Sequence, residues 1–539
     1  MPVVTRSKLA IASHQVVYTH KQPPILRLRL LIILTIILFS STLGMSRAIA
    51  NSIHDGSPVV AAVANLLISE FRLRGPNGAN DEFIEISNTG DAAHTVASVD
   101  GSAGYALAAS DGVIRFVIPN GTVIPAHGHY LGVNSVGYSL AAYPAGTGTT
   151  ATGDVPYTTD IADNAGIALF ATSNAVNMTL ANRVDAVGST SEANTLYKEG
   201  TGYPALTPFS IDYSFYRDLR AGSPKDTNNN AADFLFVDTN GTSAGAGQRL
   251  GAPGPENLTS PIGEVLAVSL VDSSAQVMAA PNLVRDTTSD PAQNSTFGTI
   301  SIRRTFTNVS SQPVTRLRFR ITDLTTFPSP SGVADLRPRT SSTTSVIVGG
   351  VPITVSGTTL EQPPSQLNGG GFNSSLSVSS VSPAAPLAHG ASITVQFLFG
   401  VQQTGCERVA MDTPLNYDTC TTGAQIVVST LTCTSFTALG TGTPASGYAA
   451  MRVWNETTGS VALIDSYINM GVPTMYAPIA ANGSYSITAT FPRQPLGALL
   501  RGRIYRAPTA GFGSWDNGSF QDITATCDSV QVFLSLISR

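Results

Sequence analysis

Charge is what this chain has least of. Lysine, arginine, aspartate and glutamate make up 12% of its 539 residues, about half the roughly 25% of an average globular protein. A formal net charge of −5 is weak for that length. Overall electrostatics therefore give no reason to expect capture by nucleic acid or an anionic membrane, a local patch aside. Cysteine is absent before Cys406, which excludes lipid attachment at a signal-peptide cysteine. No phosphate-binding loop and no His-Glu-x-x-His string occurs, so an enzyme here would need a site built from unmarked residues. Outside the N-terminal segment no window sustains a 3.6-residue apolar period, which argues against long amphipathic helices.

Gly (49) and Pro (33) are frequent, and Thr, Val, Ser and Ala crowd the remainder. Few charges, many β-branched residues and regular Gly or Pro stops suit all-β modules joined by turns. The length suits three or four of them. Near the start, Arg27 and Arg29 precede an apolar run over 30–43, and Ala48-Ile49-Ala50 supplies a small-residue cleavage pattern. That is how a secretory signal peptide is built. As a helix the run spans about 21 Å, short of a hydrocarbon core of roughly 30 Å. A removable signal over 1–50 is thus preferred to a retained anchor, with membrane contact only through this segment if it stays uncleaved. Its n-region is long, and residues 51–64 read as a spacer.

The most informative stretch is 66–88, LLISEFRLRGPNGANDEFIEISN. Two apolar runs flank a Gly-Pro-Asn-Gly-Ala-Asn cluster whose residues fix or permit unusual backbone angles, a β-hairpin signature. IRFVIP at 114–119, GHYLGV at 128–133, GIALFATSN at 166–174, RVDAVG at 183–188 and SFYRDL at 214–219 follow at the spacing of a sandwich. In this order the hairpin and strands resemble the lamin tail domain in its bacterial exported form, over residues 65–257. The hairpin is the specific part; the other strands would be weak alone. The resemblance implies an immunoglobulin-like β-sandwich. It also implies an accessory targeting role, since such modules sit in extracellular multi-domain proteins, some beside nuclease or phosphatase domains. This copy is longer than the compact lamin sandwich, around 139–162 and 194–208. Those loops are where binding would be expected.

GAPGPENLTSP at 251–261 reads as a linker. A second β-sandwich is expected over 262–403. Its strand at 315–324 alternates strictly, with Leu317, Phe319 and Ile321 on one face and Arg316, Arg318 and Arg320 outward on the other. A disulfide-containing β-domain over 404–539 holds Trp454, Trp515 and all four cysteines. Of three possible pairings, Cys406–Cys420 and Cys433–Cys527 is preferred, because a nearby pair closes a short loop. The long loop then ties the ends of one domain, worth about 4 kcal/mol in a loop-entropy treatment. A zinc site would need closer Cys or Cys/His spacing than this chain has.

Asp226, Asn228, Asn230 and Asp233 in DTNNNAADF form the metal candidate, since oxygen side chains at alternate positions resemble the front of a Ca²⁺ loop. The Gly at position six and the Glu at twelve are missing, and an Asx-rich turn is the plainer reading. His127 and His129 sit two apart at a strand start, a ligand pair without a nameable third member. Asp81, Glu82 and Glu85 cluster beside the hairpin turn, as carboxylates facing solvent or backbone. Arg303, Arg304, Arg316, Arg318 and Arg320 could form a basic stripe, but without interleaved aromatics they read as a solvated strand face.

The sequence therefore points to an exported, all-β protein of tandem β-sandwiches after a signal peptide, secreted or on the cell surface. The expected role is non-catalytic: binding of a macromolecule (protein, glycan or extracellular DNA) or adhesion. Two rivals are a nucleic-acid-binding accessory module, and a carbohydrate-binding or hydrolase-associated protein with Trp454 or Trp515 as a sugar platform.

Overall fold

The structure, a computed structural model, describes residues 65–537 apart from 147, 207–210, 242–246, 263–265, 364–365, 367–368, 414, 421–422, 444, 459–461, 466–475, 508–519 and 528–535. The signal peptide, the spacer and Trp515 lie outside the described residues. The described chain is all-β, with only single-turn helical pieces between strands. Among these residues no helix is long and apolar enough to cross a membrane.

The 66–88 segment folds as read. Leu66–Arg72 pairs antiparallel with Phe83–Asn88, from Leu66 opposite Asn88 to Arg72 opposite Phe83, with a bulge at Ser69. The turn is closed by Gly78, whose φ of 95° few other residues adopt, and by the Asp81 carboxylate, which accepts from the Asn77 N–H. These two strands are central in a seven-stranded sheet: Arg249–Leu250, Phe234–Asp238, Tyr213–Arg217, Leu66–Arg72, Phe83–Asn88, His129–Asn134, Val155–Tyr157. A four-stranded sheet (Arg183–Val187, Ile167–Phe170, Gly104–Ala109, Ile114–Pro119) shares its core. Ile68, Phe71, Ile84 and Ile86 from one sheet meet Tyr105, Leu107, Phe116 and Leu169 from the other.

Every residue of Leu66–Arg72 and of Phe83–Asn88 is buried. An antiparallel strand with one wet face alternates in exposure, so both faces of this sheet are covered. The four-stranded sheet covers one. The second sheet pair and the chain around 139–152 cover the other.

That second pair has one sheet ordered Leu266–Leu270, Thr299–Asn308, Ser392–Gln403, Asp335–Arg339, with Leu283–Asp286 also on Thr299–Asn308. The other is ordered Thr359–Leu360, Ser375–Ser377, Arg318–Leu324, Arg408–Met411, Asn416–Asp418. Phe306, Phe319 and Phe397 meet at its centre. Because Arg408–Met411 pairs with Arg318–Leu324, residues 404–418 belong here. The boundary expected at 403 thus moves past Cys420.

The last region packs Gly423–Leu431, Ser435–Thr443 and Ser484–Thr490 against a six-stranded sheet built on Tyr448–Asn455, Leu499–Ala507 and Phe520–Thr526. The cysteines pair Cys406–Cys420 and Cys433–Cys527. The first bridge closes an edge of the second sheet pair. The second joins the two sheets of the last region, since Cys433 precedes Ser435–Thr443 and Cys527 follows Phe520–Thr526.

Candidate functional site

The densest chemistry in the described chain lies where the first sheet pair meets the second. The hairpin pairing sets Glu70 directly opposite Glu85. Two carboxylates so placed repel, and here they are also buried, at 1% and 0% exposure. Cations must come from elsewhere. They come from Arg318–Leu324, whose alternation sends Phe319 and Ile321 into its own core and Arg318 and Arg320 the other way, onto the first sheet pair. The arginines expected to face solvent are therefore buried, because the face opposite the core is an interface.

Glu256 joins the two sides. One of its oxygens takes Arg318 Nη1, and the other takes Arg320 Nη2 at 2.9 Å and His129 Nε2 at 3.3 Å. The opposite imidazole nitrogen, Nδ1, lies 3.2 Å from Glu85 Oε1. Backbone donors complete the set: Gly254 N–H to Glu70 Oε1 at 2.8 Å, and Glu256 N–H to Glu85 Oε2 at 2.7 Å. Arg318 Nε also donates to Glu361 Oε2 at 2.8 Å, and Gly146 N–H reaches the other Glu361 oxygen. The 251–261 stretch thus is no free linker. It lies buried in the seam, its glycines and prolines allowing close approach while Glu256 supplies the charge.

Burial pushes the Glu70 carboxyl up to about 7, against the pull of Arg320. Burial acts the same way on Glu256, but Arg320, Arg318 and His129 outweigh it and hold that carboxyl at about 2. For His129 burial favours the neutral ring, yet Glu256 and Glu85 overcome it and raise the imidazole above its usual value. The geometry agrees. A neutral imidazole has one N–H, and only the protonated ring donates to carboxylates on both sides.

A cavity of about 290 Å³ opens onto the seam. Arg318 Nη2, Ser87 Oγ and Tyr216 Oη border it, each buried without a protein hydrogen-bond partner. Glu85, His129 and Glu256 bring one ligand-type atom each within 4.8 Å of one another. They do not fit a metal: both imidazole nitrogens face carboxylates, both Glu256 oxygens face guanidiniums, and Glu85 accepts from Ser69 Oγ, His129 and a backbone N–H. The ligand atoms of all three residues are already engaged in the ion network.

The sequence candidates scatter. Asp233 accepts from Thr227 and from the Asn229 N–H; Asp226 accepts from the Asn228 N–H. Asn230 Oδ1 accepts from the N–H groups of Gly188 and Glu199. Each of these three side chains serves the turn or a neighbouring strand. His127 leaves the strand in the left-handed region (φ 55°) and faces Asp91 in solvent, so only His129 enters the seam. Asp81, Glu82 and Glu85 are all fully buried, not solvent-facing. Asp81 pairs with Arg72, and Glu82 accepts from Asn134 and from the Ile161 N–H. The Arg303–Arg320 stripe breaks up as well, with Arg304 at 0% exposure and Arg318 and Arg320 in the seam. The two loops read as binding elements are largely structural. Leu140, Tyr143, Ala145 and Ala151 pack on Phe83, Leu131 and Val133, while Tyr203 stacks among Phe71 and Phe215.

Two signals escaped the sequence reading. Glu70 and Glu85 fall opposite each other once the hairpin register is drawn, which calls for a cation. The string Gly-Thr-Ser-Ala-Gly at 241–245 has the letters of a nucleophile elbow. It lies between the strand Phe234–Asp238 and the parallel strand Arg249–Leu250; 242–246 lie outside the described residues. Compared with protein-family models, curated proteins and solved structures, the chain matches none.

Proposed function

We propose that this chain is an exported, non-catalytic β-protein whose first two sheet pairs act as one rigid body that presents its surface to a macromolecule. The observation that carries this reading is the seam. The best-placed carboxylates, guanidiniums and imidazole of the described chain are spent on one another across an internal interface, which is the chemistry of a joint. A turnover site instead keeps groups poised for substrate. Two disulfides fit an oxidising compartment, and with the signal-like N-terminus they support secretion or surface display. Within this reading the first sheet pair is an immunoglobulin-like, lamin-tail-type module. Nucleic acid is the less favoured ligand, because two of the five stripe arginines, Arg318 and Arg320, are consumed in the seam and Arg304 is buried.

The test has two arms. The full chain is screened for binding on glycan arrays, on DNA at low salt and on cell-envelope extracts, and in parallel for turnover of phosphoesters, glycosides, esters and peptides. Saturable binding without turnover is the expected result. Hydrolysis of any of these substrates, abolished by changing one residue, overturns the reading.

A further inference from the structure

The seam holds more acid than base. Four buried carboxyl groups converge there, Glu70 and Glu85 from the hairpin, Glu256 from the 251–261 segment and Glu361 from the second sheet pair, while Asp412 stands exposed at the cavity rim. Among the described residues two guanidiniums, Arg318 and Arg320, pair with them. The third cation is the His129 imidazole, wedged between Glu85 and Glu256. Tyr143 and Tyr216 also border the cluster, and burial raises both phenols, so they stay neutral across the range that matters. Asp154 acts on His129 from the chain preceding Val155–Tyr157, and its carboxylate accepts from the N–H groups of Leu131 and Leu258.

We propose that this seam is a proton-operated latch: protonated His129 closes the first two sheet pairs on each other, and loss of that proton loosens them along the 251–261 segment. The charge count gives the direction. With Glu70 neutral, three cations face the carboxylates of Glu85, Glu256 and Glu361, and the charges within the seam nearly balance, half-buried Asp154 standing beside His129 on two backbone N–H donors. Deprotonating His129 and Glu70 leaves two cations facing four buried carboxylates. Uncompensated buried charge is among the most expensive states in a protein. The imidazole is the hinge of this change, because of the two cations that touch both the hairpin and Glu256 it is the one that gives up its charge in this range, whereas Arg320 keeps its own.

Hydrogen–deuterium exchange on the full chain, corrected for intrinsic rate, tests the latch between about pH 6 and about pH 9, the range that a raised histidine spans. Peptides covering 66–72, 83–88 and 318–324 are expected to lose about tenfold or more in protection as pH rises, while 435–443 in the last region holds steady. His129→Gln is expected to leave the seam loose at both ends of the range. Exchange at the His129 ring carbon in the unaltered chain reports its titration directly and is expected above an ordinary histidine. The proposal fails if seam protection is flat with pH, or if protection falls equally in 435–443. It also fails if His129→Gln keeps the original profile, or if His129 titrates as an exposed histidine does. The exchange and ring-carbon measurements on the unaltered chain stand even if the variant does not fold.

Discussion

The front of the molecule and its last region solve the same problem in opposite ways. In the first sheet pair Arg72 and Arg217 are fully buried and carry networks of their own. Arg217 grips Asp185 with two contacts of 2.9 Å while its Nε donates to the Ile68 carbonyl. Among its described arginines the last region buries only Arg506. Arg452, Arg501 and Arg503 stand around Trp454 on the outer face of the six-stranded sheet, each guanidinium within 5.6 Å of the ring centre. Its sheets are tied covalently instead, by Cys433–Cys527. A buried ion pair fixes geometry: it adds little to stability overall, but removing one partner strands the other. A disulfide acts chiefly by restricting the unfolded chain. The two halves should therefore fail differently.

The largest effect is expected inside the front half. Arg217→Ala leaves Asp185 buried without its cation and should cost about 3–5 kcal/mol, read by chemical denaturation. Replacing both partners, Arg217→Met with Asp185→Leu, should recover part of that loss, because Asp185 is no longer stranded, while buried Asp233 still loses its neighbouring cation. A single substitution costing under about 1 kcal/mol would dissolve the contrast between the halves.

Opening the covalent tie comes next. Cys433→Ser with Cys527→Ser releases a loop of sequence separation 94 and should destabilise the last region by about 2–4 kcal/mol. If the front half melts independently, its transition stays where it was in calorimetry. A common downward shift of every transition would show instead that the regions unfold as one.

The pH dependence separates them more gently. Folding raises Glu70 to about 7 and Glu82 and Glu199 to about 8, in each case mainly by burial. It raises His129 as well. A group raised on folding contributes stability that is complete below its unfolded value and lost as pH climbs through its folded value. For these carboxyls the loss runs from about 4.5 to about 8, and His129 extends it upward from about 6.5. Glu256 works the other way: held at about 2, it gives up its contribution as pH falls below about 4.5. The front half should therefore be most stable near pH 5 and weaken toward pH 8, seen as a falling melting temperature. A front-half stability that rises from pH 5 to pH 8 breaks the scheme.

What the sequence made legible follows from range. The 66–88 hairpin was readable because its turn residues and its period of two are local, and the inward Leu317, Phe319 and Ile321 for the same reason. The disulfide pairing yielded to loop lengths alone. The outward arginines were misplaced because period two tells which residues share a face, not what lies opposite that face. Solvent was assumed, and a second sheet pair was there. The 251–261 segment carries every mark of a linker, yet Glu256 makes it the seam's keystone. Only the partners, 60 or more residues along the chain, reveal that. Long-range pairing of this kind leaves one local trace, the Glu70–Glu85 opposition.

The smallest expected effect lies on the outer face of the last region, and it bears on ligand as well as stability. Trp454 is not a bare platform: three guanidiniums crowd its ring, and its indole N–H donates to Glu456 Oε1 at 2.6 Å. Asp522 in turn holds Arg503 and Arg501. On a solvated face such stacking is worth about 0.5–1 kcal/mol, so Trp454→Leu should shift the denaturation midpoint only slightly and leave the cysteine-tied core intact. Because a sugar would have to displace arginines to stack there, glycan-array signal should survive the substitution. Loss of a specific glycan with the ring, at unchanged stability, would turn this face from a structural ladder into a binding site and reverse the contrast between the two halves.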